Sequence, residues 1–147
     1  MVDFHSHILP RLDDGASSVT QSLEMLRKER SHGVDTVVAT PHFYPHKHDV
    51  DAFLRKREQG HQLLVSALTF EMQNIRILRG AEILIFDGLD RLPGIEKLCI
   101  EGTSVLLLEL PFTDFHSDFP ALTERLISQG YKVVLAHAER YSPINVE

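Results

Sequence analysis

Two histidines one residue apart, His5 and His7, stand near the start of the chain in Val2-Asp3-Phe4-His5-Ser6-His7. Imidazole nitrogen binds zinc, manganese or iron. At i, i+2 on an extended backbone both rings point the same way, so both can hold one cation. Further donors follow, each within or just after an apolar run. His42 comes after 36–39, Glu82 lies in 81–85, Glu109 in Leu106-Leu107-Leu108-Glu109-Leu110, and His137 follows 133–136. Singly, most have a bland reading: Glu82 as a solvated strand end, His137 as a satisfied core histidine. Glu109 is harder to dismiss, because an unpaired carboxylate among leucines is costly and calls for a metal or an arginine. An imidazole or carboxylate with every apolar run has few bland explanations. Cations held about 3.5–4 Å apart, bridged by a carboxylate, can clamp a phosphate and activate water for in-line attack.

The elements that must bring these groups together are legible in outline. Residues 2–5 read as a short strand. Ser17 or Ser18 caps a helix running to about His32, which Gly33 stops. The β-branched run 36–39 reads as a buried strand ended by Thr40-Pro41, and 51–68 as a helix with Gly60 as its weak point. Segments 75–78 and 81–85 read as one third strand region around Gly80. Residues 83–98 show no clear period and a turn at Pro93-Gly94. A strand at 105–110, a helix at 118–128 before Gly130 and a last strand at 133–136 complete the series. Strands alternating with helices, apolar on both sides, predict an α/β fold with a parallel sheet covered by helices. In such folds functional groups sit at the C-terminal ends of strands.

The chain has 147 residues, enough for one domain with a core, and 43% are hydrophobic and 24% charged. A net charge of −6 argues against sequence-independent nucleic-acid binding. One cysteine, Cys99, rules out an intramolecular disulfide and fits a reducing, cytoplasmic setting. The N-terminus has neither the basic nor the apolar region of a signal peptide, and no apolar run approaches a membrane span. A cysteine-based phosphatase needs Cys followed by five residues and Arg; Val105 stands at that distance from Cys99.

Residues 5–15, His-Ser-His-Ile-Leu-Pro-Arg-Leu-Asp-Asp-Gly, resemble the opening motif of the CpsB/YwqE-like bacterial tyrosine phosphatases. These belong to the polymerase-and-histidinol-phosphatase (PHP) superfamily. Ala39-Thr40-Pro41-His42, Gly80-Ala81-Glu82, Leu108-Glu109-Leu110-Pro111 and residues 136–141, Ala-His-Ala-Glu-Arg-Tyr, resemble the later motifs in order. The resemblance implies the N-terminal part, about five βα units, of a distorted (β/α)7 barrel with parallel strands, all of 1–147 lying in that single domain. It implies a cluster of divalent metal, usually manganese, with iron or zinc as alternatives. His5 and His7 would bind a first ion and Glu82 would bridge to a second completed by Glu109 and His137. Asp14 and His42 would belong to a third, with Asp14 also counted among the catalytic residues. Arg140 would steady the phosphate or leaving group, its forked donors matching phosphate oxygens.

The implied activity is removal of phosphate from tyrosine on a bacterial tyrosine kinase that controls capsule and exopolysaccharide synthesis, by direct transfer to water. Arg11 stands where these proteins usually have glycine, and Ala138 where proline is common. The family's late Asp-x-His pair does not follow residue 137, so the C-terminal part of the domain is expected to be missing and the activity impaired. The open sheet edge is then expected to be covered, by a second copy of the chain among other means. Alternatives are another PHP phosphatase, acting on histidinol phosphate or a small phosphomonoester, and a non-catalytic phosphate-binding remnant. A polymerase-linked PHP domain fits poorly with the acidic charge. His32, His46, His48, His61 and His116 are surplus to the motifs, with His46 and His48 candidates for a rim loop.

Overall fold

Ser18 and Asp49 show how local chemistry starts the first two helices. In the computed structural model, which describes residues 1–47, 49–111 and 118–141, Ser18 Oγ accepts from Gln21 N at 3.2 Å. This caps α1 (Val19–Ser31). Asp49 accepts from Ala52 N at 3.0 Å and caps α2 (Val50–Ser66). Gly33, with φ 82°, turns the chain out of α1. The third helix, α3 (Phe119–Ser128), carries proline in its first turn and is followed by Gly130 at φ 94°. His48 and His116 lie outside the described residues.

The strands are β1 (Val2–Ser6), β2 (Thr36–Ala39), β3 (His42–Phe43), β4 (Arg76–Arg79), β5 (Glu82–Leu84), β6 (Val105–Glu109) and β7 (Lys132–Leu135). All pairings are parallel, in the orders β1-β2-β4 and β3-β5-β6-β7. The expected third strand region is therefore two strands in two sheets, and His42 opens a strand of its own. The break is shared. Ala39 faces Arg79 before it and His42 faces Glu82 after it, so the register carries straight across. Gly80 N donates to Ala39 O at 2.8 Å and Glu82 N to Pro41 O at 3.1 Å through the gap. Thus β2/β3 and β4/β5 are two long strands bent at one level, by Thr40-Pro41 and Gly80-Ala81. Pro41 has no N–H for a ladder. A Cβ on Gly80 would crowd Thr40 Cγ2 at 3.2 Å and Val38 Cγ1 at 3.3 Å.

Arg57 of α2 clamps this bend from outside, donating to Gly80 O at 2.8 Å and Lys97 O at 3.0 Å. One apolar cluster, including Leu9, Leu26, Val37 and Leu64, packs β2 and the loop after β1 against α1 and α2. A second, including Phe43, Phe53, Ile83, Leu106, Leu108 and Leu126, seals β3, β5 and β6 under α2 and α3. Gly60 proves to be a contact point in α2, since a Cβ there would lie 3.1 Å from Leu12 Cδ1. Two short 3-10 turns, Leu89–Arg91 and Ile95–Leu98, occupy the stretch that has no helical or strand period.

Candidate metal centre

The first donors are aimed by an irregular strand. Asp3 pairs with Val37 but Ser6 pairs with Ala39, so β1 carries one extra residue between them. Such a bulge re-aims side chains. Asp3 Oδ1 accepts from the His5 N–H inside it at 3.1 Å. The strand is then pinned to the end of β2, where Thr40 N donates to Ser6 O at 2.8 Å. His42 and Glu82 open β3 and β5 as register partners, and Glu109 closes β6. His137 follows β7 at φ 51°, a left-handed conformation that a non-glycine residue holds only when its surroundings impose it.

Glu82 is the hub, its side chain fully buried. Its Oε2 stands 2.9 Å from His5 Nε2, 3.0 Å from His7 Nε2 and 3.3 Å from His42 Nδ1. Its Oε1 stands 3.2 Å from His137 Nε2. Glu109 Oε2 lies 3.4 Å from His42 Nδ1, and the Nε2 atoms of His5 and His7 are 3.2 Å apart. Both Glu82 oxygens, Glu109 Oε2 and His42 Nδ1 are buried, yet none is aligned for a hydrogen bond among the described residues. Buried donors left unsatisfied are costly, and here they converge at contact distance. Cations would resolve that arrangement, and this nitrogen–carboxylate set fits manganese, iron or zinc.

Residues 1–147 match the family model described as capsular polysaccharide synthesis, CpsB/CapC. The chain belongs to this family. It is 33% identical over 143 residues to the tyrosine-protein phosphatase YwqE of Bacillus subtilis, covering 95% of the chain and 55% of YwqE. It is 31% identical over 147 residues to the putative tyrosine-protein phosphatase CapC of Staphylococcus aureus, covering 98% of the chain and 56% of CapC. With CpsB of Streptococcus pneumoniae the identity is 27% over 151 residues, covering 98% and 59%. The chain thus spans little more than half the length of these relatives. A crystal structure from work on YwqE and CpsB, described as unique metal-dependent tyrosine phosphatases, superposes with a TM-score of 0.77 at 31% identity. It covers 95% of this chain and 56% of that one.

Within this CpsB/CapC-family chain the donor atoms gather in three groups: His5, Glu82 and His137; His7, His42 and Glu82; and His7, Asp13 and Asp14. These groups overlap: Glu82 belongs to two of them, and the Nε2 atoms of His5 and His7 both approach Glu82 Oε2. Asp14 is 79% exposed, with Oδ1 3.5 Å from His42 Nε2. Arg140 is exposed on a 3-10 turn, Ala138–Arg140, whose last N–H donates to His137 O at 2.8 Å. The Tyr141 hydroxyl accepts from Leu110 N at 3.2 Å and donates to Leu110 O at 3.1 Å, anchoring that turn beside Glu109.

Two residues at the centre escaped the sequence reading. Asp13 Oδ2 lies 2.7 Å from His7 Nδ1 and accepts from His42 N at 3.0 Å. The doubled acid before Gly15 was the available signal. Tyr44 stacks on His42 with ring centroids 5.0 Å apart and planes 16° apart, and nothing in the sequence marked it. Of the surplus histidines, His61 is satisfied by Ile77 O at 3.0 Å and His46 stacks on Tyr44.

The electrostatics follow from crowding acids and imidazoles together. Burial works against the His7 imidazolium, but its hydrogen bond to Asp13 and the charge of Glu82 outweigh it, pushing its pKa up to about 10. Burial likewise opposes the charged forms of Glu82 and Asp13, yet the surrounding imidazoles hold Glu82 well below its ordinary range. His7 and the Gly15 and His42 N–H groups hold Asp13 below its own. The His42 pKa is raised, burial being overcome by Glu109 and Glu82.

Proposed function

We propose that this chain carries the metal-binding core of a phosphoesterase that hydrolyses phosphotyrosine in proteins. The observation that carries the proposal is the convergence of four imidazoles and two carboxylates on buried, unsatisfied donor atoms around Glu82. Glu82 would bridge, His5, His7, His42, Glu109 and His137 would complete the inner ligands, and Asp14 would reach in from the rim. Bound divalent cations would supply Lewis acidity toward phosphate oxygens and a lowered pKa for attacking water. The protein's own part is to exclude water from the Glu82 hub, to aim the imidazole nitrogens at one point, and to present Arg140 toward the rim as a phosphate-matching cation. Cys99 takes no part in this reading: it is buried, and burial pushes its thiol up.

The relatives named as tyrosine phosphatases and the family's description in capsule synthesis support the substrate class. Manganese as the working ion, a bacterial tyrosine kinase as the phosphoprotein, and a cytoplasmic setting complete the reading. Among the described residues no helix is long and apolar enough to cross a membrane.

Elemental analysis of the purified protein, with turnover of a phosphotyrosine peptide and of histidinol phosphate side by side, tests the proposal. We expect bound divalent metal, preference for the peptide and loss of turnover in a chelator. Preference for histidinol phosphate would move the protein to another phosphatase class. Full turnover in chelator would overturn the metal reading.

A further inference from the structure

His7 and His42 come from different strands, and an imidazole can present either nitrogen to an ion. We propose that Asp13 is a positioning residue that holds His7 with Nε2 free for a cation and, with the same carboxylate, fixes the backbone of His42. The proposal rests on the metal-centre reading and adds what aligns two of its ligands.

The first observation is the 2.7 Å contact between Asp13 Oδ2 and His7 Nδ1. A carboxylate there keeps the proton on Nδ1, so the lone pair is on Nε2. That is the atom which stands 3.0 Å from Glu82 Oε2 and 3.2 Å from His5 Nε2, at the point where the donors converge.

The second is that the same Oδ2 accepts from the His42 N–H at 3.0 Å. The strand His42 opens is only two residues long and follows Pro41, so its own ladder is a weak hold on it. The third is the loop that carries Asp13. Its Oδ1 accepts from Gly15 N at 3.0 Å, Ala16 N donates to His7 O at 3.0 Å and Arg11 N to Ala16 O at 2.8 Å. The loop folds so tightly over His7 that a Cβ on Gly15 would lie 2.1 Å from His7 O.

Asp13 is 9% exposed with both oxygens engaged, whereas the next acid, Asp14, is 79% exposed. The doubled acid thus divides its work: Asp13 turns inward to orient ligands and Asp14 stays outward, where it can reach an ion.

Zinc is the probe, being diamagnetic and suited to this donor set. In zinc-loaded unsubstituted protein, nitrogen-15 spectra of the histidines are expected to show His7 protonated at Nδ1 and metal-bound at Nε2. Calorimetric titration with zinc should show affinity falling roughly 10–100-fold in Asp13→Ala. The loss should be much smaller in Asp13→Asn, whose amide oxygen still accepts from Nδ1–H. The proposal is overturned by zinc on His7 Nδ1, by Asp13 oxygen at about 2.0–2.2 Å from the ion in a zinc-loaded crystal, or by unchanged affinity in Asp13→Ala. The spectra need no variant to fold. Should the unsubstituted protein bind no zinc, the metal reading itself fails, a result distinct from binding that ignores Asp13.

Discussion

Glu82 faces four imidazoles from a fully buried position, so its replacement should be the most damaging single change at the centre. In Glu82→Gln the shared charge disappears while the volume stays. We expect bound metal and phosphotyrosine turnover to fall by more than the roughly 10–100-fold typical of an outer-sphere partner. Elemental analysis and peptide hydrolysis check this. The pH dependence has a definite sign. In metal-free protein the raised pKa of His7 makes its contribution complete below its ordinary 6.5 and lost as pH rises through about 10. The depressed pKa of Glu82 makes its contribution present above the ordinary carboxylate value and lost as pH falls toward its folded value. Metal-free protein should therefore be more stable at about pH 6 than at about pH 9. Metal binding, which must displace the His7 proton, should tighten over the same interval. Urea titrations at both pH values, with and without chelator, measure both effects; metal affinity that falls toward pH 9 would contradict the assignment.

At the scale of elements, the loop after β1 and the bend shared by β2/β3 and β4/β5 do the positioning. Gly15→Ala places a methyl group against the His7 carbonyl, so the loop must open. We expect about 1–3 kcal/mol of destabilisation together with loss of metal. Arg11 sits four residues earlier at φ 61°, where the resembling proteins usually have glycine. Arg11→Gly should relieve left-handed strain, offset partly by glycine's entropy, for a net gain of at most about 1 kcal/mol in thermal unfolding. Arg57→Leu would strip the Gly80 and Lys97 carbonyls of their donor. A loss on the order of 3 kcal/mol is expected, with metal affinity dropping because the bend sets the height of Glu82.

Over the whole molecule, candidate ligands from β1, β3, β5, β6 and the end of β7 converge on one centre, so on the proposed function cations should bind the folded chain far better than the unfolded one. At a hundredfold excess over its dissociation constant each ion should add about 2.7 kcal/mol, and a chelator should remove it. A melting temperature indifferent to both metal and chelator would contradict a shared centre. Among the described residues β1 and β7 are the outermost strands, and Val2, Phe4 and Val134 on them are exposed. The sheet is therefore least protected at its two ends.

The amino-acid order alone determined what depends on neighbours in the chain: the Ser18 cap, the buried run 36–39, the apolar strand before Glu109, and the histidine and carboxylate types that make metal chemistry plausible. Side-chain period and capping are local, so they are written locally. Tertiary structure alone decided where the third strand region breaks. That break depends on Gly80 fitting beside Thr40 and Val38 in a neighbouring strand. It also decided that Asp13 rather than Asp14 turns inward. Those outcomes follow from register and from a bulge in β1, and both are set by hydrogen bonds between residues such as Asp13 and His42 that are distant in the chain.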